Sequence, residues 1–199
     1  MKHTKLESQL ARQQDQLAQA VIALSRGTEL EAILRHVGEL SMALTGARYA
    51  MLSYIENNKK LFIPLGMTDE ELAKLEGKEP QGIGLLGLMW NQHEVVRIND
   101  ISAHPKADGF PPDHAAMKTF LGAPIMFEDN VEGVIYLTEK EGDRAFTAID
   151  ETNVRTLAAA CAIAISNVIH IQQLKSRNAE LEQLLIERTG SAVPESMRG

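Results

Sequence analysis

A loop between positions 104 and 117 carries the side chains of this sequence that are best suited to bind a ligand. Its backbone is restrained by prolines and a glycine, namely Pro105, Gly109, Pro111 and Pro112. His114 lies in this loop, between Phe110 and Met117, just ahead of a largely apolar segment. A neutral imidazole nitrogen can bind a metal ion or a haem iron. The arrangement therefore predicts a ligand pocket.

Two other uses of this loop stay open on the residues alone. His104 and His114, with Asp108 or Asp113, could coordinate a metal ion, although their spacing matches no recognised metal motif. His114 could instead be a structural histidine that is held by hydrogen bonds. The remaining histidines show no spacing typical of metal ligands.

The sequence lacks the motifs that indicate common enzymes. It contains no Ser-His-Asp order with a nucleophile elbow and no GxxxxGK[ST] phosphate loop. The single cysteine, Cys161, lies in AAACAIAI, which predicts a buried helix face. One thiol cannot supply the attacking and resolving thiols of a redox enzyme. We therefore expect a binding module and no enzymatic activity.

Composition limits the class of protein and its partners. The chain has 199 residues, of which 44% are hydrophobic and 24% charged, as in ordinary soluble domains. A net charge of -7 without a cluster of Lys and Arg argues against a nucleic-acid or anionic-membrane partner. No apolar run approaches the roughly 20 residues that span a bilayer, and the polar start lacks a signal-peptide pattern. We expect a cytoplasmic protein without a membrane partner.

Strands and helices that would position the loop can be located from strand-favouring residues, turn signals and apolar spacing. Strands are predicted at 48–55, 60–65, 94–98, 119–126 and 132–138. Short polar turns join the first two strands and the last two, which predicts a mostly antiparallel sheet. Helices are predicted at about 4–26, from Leu30 to Gly46, after the Thr68–Glu71 capping box, in GIGLLGLMW, and from Phe146 onward.

The last part of the chain has the spacing of a coiled coil. Ile171, Asn178 and Leu185 can occupy a positions, with Leu174 and Leu181 at d positions. An asparagine at an a position favours a defined parallel register, so the pattern predicts a homodimer. The alternative is a single amphipathic helix packed on its own domain.

Several sequence blocks together resemble one family. The blocks PQGIGLLG, INDISAHPKADGFPPDHAAM, TFLGAPI and VIYLTEK, followed by FTAIDE, resemble the GAF domain, a small-molecule-sensing module of signalling proteins. The similarity is strongest to the haem-binding GAF domains of mycobacterial oxygen- and redox-sensing histidine kinases. It implies an α+β fold with a central antiparallel sheet and flanking amphipathic helices. The chain would divide into an N-terminal helix (1–27), a GAF domain (28–170), and a coiled-coil-like helix with a tail (171–199).

The resemblance also implies a cofactor and its ligands. In those relatives the proximal iron ligand is a histidine in the loop after GFP, which implies His114 as the ligand of a b-type haem. Tyr136 matches their distal tyrosine. A hydrogen-bonding tyrosine in an apolar pocket can discriminate among diatomic gases, so gas or redox sensing is expected. The surrounding cofactor-binding residues would be Phe110, Met117, Phe120, Met89, Leu86 and Ile125.

This sequence departs from those relatives at several positions. Asp113, Ala115 and Ala116 replace the family's second histidine and prolines, which makes the loop more acidic and less rigid. Leu52 and Tyr54 stand where the mycobacterial sensors carry polar groups near the haem edge. The redox behaviour of the relatives is therefore not expected to transfer.

A second pattern is shared in part with cyclic-nucleotide GAF domains. Lys140, Phe146, Asp150 and Glu151 preserve it, whereas Glu139 replaces its asparagine. We expect these residues to brace the fold through Lys140 and Asp150.

Three functions stay open at this point. The leading one is a haem-binding sensor whose ligand biases the flanking helices and signals to a downstream protein. The second is a GAF domain that binds a non-haem organic or anionic ligand. The third is a ligand-free dimerisation scaffold.

Overall fold

The computed structural model describes residues 2–24, 27–56, 59–75, 85–105 and 117–189. In chain order, the elements are α1 (Lys2–Leu24), α2 (Leu30–Thr45), β1 (Ala47–Glu56), β2 (Lys59–Leu65), α3 (Asp69–Leu75), α4 (Leu85–Gln92), β3 (Val96–Ile98), a 3₁₀ turn (Ile101–Ala103), β4 (Phe120–Phe127), β5 (Asn130–Lys140) and α5 (Ala148–Thr189). The five predicted strands are all present, and so is each predicted helix. The predicted α+β class is confirmed.

The strands form one sheet in the order β2-β1-β5-β4-β3. Every pair of neighbouring strands in it is antiparallel, as the short turns predict. Within the register, Ser53 of β1 lies opposite Val134 of β5, and Tyr136 of β5 lies between Met51 and Gly122. The central strand β5 therefore brings residues of β1 and β4 within reach of one another.

The two faces of the sheet are covered by different elements, because successive side chains of a strand point to opposite sides. We call the side that packs on α2 and α5 the helix face; it contains Leu52, Leu121 and Ile135 and forms the larger core. We call the other side the α4 face. Its buried members are Leu85, Leu88, Met89, Ile98, Ile101, Phe120, Val134 and Tyr136.

Helix α2 lies close against the sheet because of a glycine in its middle. A Cβ atom added at Gly38 would lie 2.3 Å from Leu65 Cδ1 and 2.5 Å from Leu52 Cδ1. The helix ends at Gly46, as predicted, in the left-handed conformation with φ 69°. Its N–H donates to the Met42 carbonyl over 2.8 Å, which is the usual way in which a glycine closes a helix.

Helix α5 has two parts with different surroundings. From Val154 to Val168 one face is buried in the core and includes Cys161, as the sequence predicts. From position 171 nearly every described side chain is exposed, including Ile171, Leu174, Leu181, Leu184, Leu185 and Ile186.

The same helix is long and apolar enough to cross a membrane by length and composition. The expectation that no apolar segment approaches this length is therefore corrected. The packing of α5 against β4 and α2 accounts for part of its apolar composition, because 39% of the apolar window is buried within the domain.

Candidate ligand-binding site

Tyr136 lies at the centre of the α4 face. Its side chain is 5% exposed, and its ring centroid is 6.2 Å from that of Phe120, with the planes tilted by 41°. The Trp90 indole Nε1–H donates a long hydrogen bond of 3.4 Å to the Tyr136 hydroxyl. The structure thus brings two predicted site residues together and adds Trp90, which the sequence analysis did not select.

Met89 packs directly onto the sheet beside this tyrosine. It is fully buried, and a Cβ atom added at Gly122 would lie 2.1 Å from its sulfur. A glycine in the strand interior allows this close approach. Met117 packs against the same cluster and is partly buried. Leu86 belongs to α4, but its side chain lies outside the part of the molecule that is described.

The prediction that Ile125 lies beside Tyr136 in the ligand site was wrong. This side chain is 1% exposed and lies in the helix-face core. Phe120 and Gly122 point to the α4 face, so strand alternation places Ile125 on the opposite side. Its apolar character was correctly recognised, but its side of the sheet was not.

A similar correction applies to β1. Leu52 and Tyr54, which were expected near the edge of a haem, belong to the helix-face core. The Tyr54 hydroxyl donates to Glu132 Oε2 over 2.6 Å. The residue between them, Ser53, faces the α4 side opposite Val134 and is 5% exposed. The polar group of β1 near Tyr136 is therefore Ser53.

The predicted iron ligand cannot be located from the described residues. His114 and Phe110 lie outside them, as do Asp108 and Asp113 of the alternative metal site. Among the residues that are described, no group of three or more His, Cys, Asp or Glu side chains could hold a metal ion.

Hydrogen bonds hold the backbone at Lys118 and Thr119, where the chain leaves that loop and enters β4. The carboxylate of Glu139 accepts the backbone N–H groups of Lys118 and Thr119, the latter over 3.2 Å. The Lys140 N–H donates to Thr119 Oγ1 over 3.1 Å. Glu139 itself adopts a left-handed backbone conformation with φ 56°. Its clamp anchors the C-terminal end of the loop to β5.

Burial and hydrogen bonding perturb two tyrosines that face this side. Desolvation raises the pKa of Tyr136, although hydrogen bonds from Trp90 and Ser53 oppose the increase. Desolvation also raises the pKa of Tyr49, whose hydroxyl donates to Glu71 Oε1 over 3.1 Å. Both phenols are therefore neutral near pH 7 and can act as hydrogen-bond donors.

Glu71 links α3 to this part of the sheet. Its carboxylate accepts the Thr68 backbone N–H over 2.8 Å, and the Thr68 hydroxyl accepts the Glu71 N–H over 3.3 Å. The predicted capping box is thus confirmed. Hydrogen bonds from the Thr68 backbone, the Thr68 hydroxyl and Tyr49 lower the pKa of Glu71.

The start of α5 is fastened to the sheet by ion pairs, as expected for Lys140 and Asp150. Their side chains form a salt bridge and are only 10% and 7% exposed. Asp150 also accepts the Thr147 backbone N–H over 2.6 Å, which caps the helix. Glu151 accepts from Arg97 of β3 over 3.2 Å. The pattern therefore braces the sheet against α5.

Two described clefts lie on the helix face, away from Tyr136. The larger, of about 860 Å³, runs between α5 and β4 and is bordered by Phe127, Arg155 and Ile163. The smaller, of about 190 Å³, lies beside Tyr54 and Ile169.

Cys161 is unsuited to be a nucleophile. Its side chain is fully buried, and desolvation raises the pKa of its thiol to about 12. The thiolate is the reactive form of cysteine, so this residue is inert in the folded state.

One protein-family model matches most of the chain. A family model described as the GAF domain matches residues 27–166. The anaerobic nitric oxide reductase transcription regulator NorR of Escherichia coli O7:K1 is 29% identical over 171 residues, which cover 82% of this chain and 33% of the regulator. This chain thus spans about a third of the length of that relative.

Solved structures share the fold at low sequence identity. The GAF domain of a phosphoenolpyruvate-protein phosphotransferase from Coxiella burnetii has a TM-score of 0.67 and 21% identity, covering 81% of this chain and 96% of that one. The free methionine-R-sulfoxide reductase of Neisseria meningitidis has a TM-score of 0.60 and 17% identity, covering 81% and 92%. The fold is therefore shared with a domain of a phosphotransferase and with a methionine sulfoxide reductase.

Proposed function

Because the chain belongs to the GAF domain family, we propose that it is a sensory module that binds a small ligand against the α4 face of its sheet. The leading ligand is a b-type haem, with His114 as proximal ligand and Tyr136 on the distal side. The observation that carries this proposal is the buried Tyr136 hydroxyl, which lies among apolar side chains and receives a hydrogen bond from Trp90.

The described residues fit one side of such a haem site. Phe120, Met89 and Met117 provide apolar contacts, and Tyr136 provides a neutral hydrogen-bond donor. When bound, haem supplies an iron that takes up a diatomic gas or changes its redox state. The neutral phenol would donate a hydrogen bond to the gas, and the apolar residues around it would exclude water.

Signal transfer is proposed to run through α5. The helix has 42 residues and is about 60 Å long at the usual rise of an α-helix. Its first turn is tied to β5 by the Lys140–Asp150 pair, and Glu139 ties β5 to the end of the His114 loop. A ligand that favours one arrangement of the loop would thereby shift the population of helix arrangements.

The partner of the exposed part of α5 is proposed to be the same helix of a second copy. The predicted a and d residues Ile171, Leu174, Leu181 and Leu185 are 46% to 62% exposed, which leaves an apolar stripe without cover from the domain. A seam of this kind is typical of a two-stranded coiled coil. Sedimentation equilibrium of wild type and of Leu174→Glu/Leu181→Glu tests this, and an unchanged mass would contradict it.

A non-haem ligand is the second candidate, and one observation favours it. Met89 packs on Gly122, and the Phe120 and Tyr136 rings are in contact, so the described residues already fill much of the α4 face. A compact organic molecule needs less room there than a macrocycle. Catalysis is not proposed, because Cys161 is buried with a raised pKa.

Hemin titration distinguishes the two candidates. We expect a Soret band that reaches saturation at one haem per chain in wild type and weakens or shifts in His114→Ala. His36→Ala is the matched control, because His36 lies on the exposed side of α2 and should leave the spectrum unchanged. Without a Soret band in wild type, the haem proposal fails, and native mass spectrometry would then search for an organic ligand that copurifies.

A further inference from the structure

The two clefts beside α5 are parts of one groove. Phe127, Ala162 and Ser166 line both the cleft of about 860 Å³ and the cleft of about 190 Å³. Along α5 the combined lining runs from Glu151 to Gln173, which is about 33 Å at the usual rise of an α-helix. We call this surface the α5 groove. It lies on the helix face of the sheet, so the ligand proposed for the α4 face does not occupy it.

Apolar side chains line much of the groove. They belong to α5, to β4 and to the segment before β3, and include Val95, Met126, Phe127, Ala159, Ile163 and Ile169. Ile163 is 64% exposed and Phe127 is 37% exposed, so the described part of the domain does not cover them. An exposed apolar patch with a polar rim is typical of a surface that contacts another protein.

The shape of the groove suits a helix. One wall is α5, and the other is formed by β4 and residues 93–95. An amphipathic helix that places its apolar face in such a groove is a recurring mode of recognition, and helices pack side by side at about 8–10 Å. An added strand fits less well, because the nearby edge strand β3 (Val96–Ile98) has only three residues and offers few backbone groups for pairing.

The rim of the groove is acidic. Four carboxylates line it, from Glu94, Glu128, Glu132 and Glu151, whereas Arg155 is the only Lys or Arg in the described lining. Of these four, only Glu151 forms a salt bridge within the described residues, with Arg155 over 2.7 Å and with an arginine of β3 over 3.2 Å. Three carboxylates at the edge of an apolar groove attract a basic partner.

A second copy of this chain does not match the groove. Each copy has a net charge of -7, and a twofold interface through this surface would bring the same carboxylates together, because such an interface joins a patch to itself. Between positions 171 and 188, the exposed part of α5 contains as many Glu as Lys and Arg residues, so it is not basic. His93 and His170 of the lining add positive charge only under acidic conditions.

We propose that the α5 groove docks a basic amphipathic helix of a partner protein. The apolar face of that helix would lie on Ile163 and Phe127, and its Lys or Arg side chains would face Glu94, Glu128 and Glu132. This inference goes beyond the proposed function and does not depend on it, because the groove and the α4 face lie on opposite sides of the sheet. Since α5 forms one wall, the partner contacts the helix that is proposed to transmit the signal.

Two synthetic helices of the same length test this interaction. Each is a labelled peptide of roughly 22 residues with leucines along one face; the opposite face carries lysines in one peptide and glutamates in the other. Fluorescence anisotropy measures binding at pH 8, where an ordinary imidazole is neutral. We expect saturable binding of one leucine–lysine peptide per chain and about tenfold or more weaker binding of the leucine–glutamate peptide.

Exposed carboxylates allow a matched pair of charge variants. Glu94→Gln/Glu128→Gln removes two charges from the rim and should weaken binding of the leucine–lysine peptide about three- to tenfold. Glu180→Gln/Glu187→Gln changes the net charge by the same amount on the exposed part of α5, outside the groove lining. This control should leave binding nearly unchanged.

A second matched pair tests the apolar contact. Ile163→Ser should weaken binding about tenfold, which is the effect of losing one large apolar contact. Ile149→Ser is the control, because Ile149 is 49% exposed on the first turn of α5 and does not line the groove. Both side chains are already exposed, so neither substitution removes a buried core residue.

The outcomes separate this inference from the alternatives. Equal affinities of the two peptides, no binding of either peptide, or equal losses in the groove variants and their controls overturns it. A lower mass of Ile163→Ser than of wild type at sedimentation equilibrium would assign the groove to a second copy and would overturn it as well. The absence of a Soret band rejects haem and leaves the expectation for the groove unchanged.

Discussion

The buried Lys140–Asp150 pair makes the sharpest prediction about how α5 is held to the sheet. Asp150→Asn removes the negative charge but keeps an oxygen that can accept from Thr147. It leaves the Lys140 ammonium only 10% exposed and without its counter-ion. Removing one partner of a fully buried pair costs about 3–5 kcal/mol. Because the pair is slightly exposed and the cap is retained, we expect the free energy of unfolding to decrease by about 3 kcal/mol.

Urea denaturation at pH 7 measures this loss. At this chain length, about 3 kcal/mol corresponds to a decrease in melting temperature of roughly 6–12 °C. Glu151→Gln is the control: its partners Arg97 and Arg155 are 34% and 61% exposed, so the expected loss is below about 1 kcal/mol. Adding Lys140→Met to Asp150→Asn should recover part of the loss, because the uncompensated charge is then gone. Equal losses in the Asp150 and Glu151 variants, or no recovery in the double variant, would refute this reasoning.

Three further predictions follow from the packing and the pKa shifts. Gly122→Ala places a Cβ atom 2.1 Å from the Met89 sulfur and should cost about 1–3 kcal/mol in thermal unfolding; in a Met89→Ala background the same substitution should cost less, and an equal cost in both backgrounds would contradict the clash. The lowered pKa of Glu71 means that its capping contribution is complete above its ordinary value of 4.5 and is lost as the pH falls through the lower folded value. The difference in melting temperature between wild type and Glu71→Gln should therefore shrink under acidic conditions, and a difference independent of pH would count against the capping box with Thr68. A thiol pKa of about 12 instead of 9.0 gives a thiolate population about a thousandfold lower, so iodoacetamide should modify Cys161 rapidly only after unfolding; equal rates in the folded and unfolded protein would show that it is not buried.

The elements of this fold could be predicted because their local signals agree with their packing. Strand-favouring residues between turn signals located all five strands, and Gly46 and the Thr68–Glu71 pair correctly placed a helix end and a helix start. Neither required knowledge of distant contacts. Local sequence therefore sufficed for the sheet and its helices.

The composition of the site could be predicted only in part. In β1 the sequence pattern placed Leu52 and Tyr54 near the ligand. The residue of β1 on the same face as Tyr136 is Ser53. A shift of one residue reverses the face of every side chain in a strand, and register depends on long-range pairing. Ile125 was misplaced for the same reason.

Other features have no strong local signal. Trp90 was not distinguishable from other apolar residues of its helix, because its hydrogen bond to Tyr136 spans 46 positions. The left-handed conformation of Glu139 and its clamp on Thr119 arise from the meeting of two strands. Contacts of this type depend on the completed sheet.

The central claim, that a ligand binds on the α4 face beside Tyr136, is tested most directly through Trp90. Its fluorescence should be quenched during hemin titration, with saturation at one haem per chain and a Soret band that grows in parallel. Tyr136→Phe should preserve that stoichiometry while altering the spectrum of the carbon monoxide complex. Quenching that does not saturate, or a Soret band that appears without any change at Trp90, would contradict a haem site on this face.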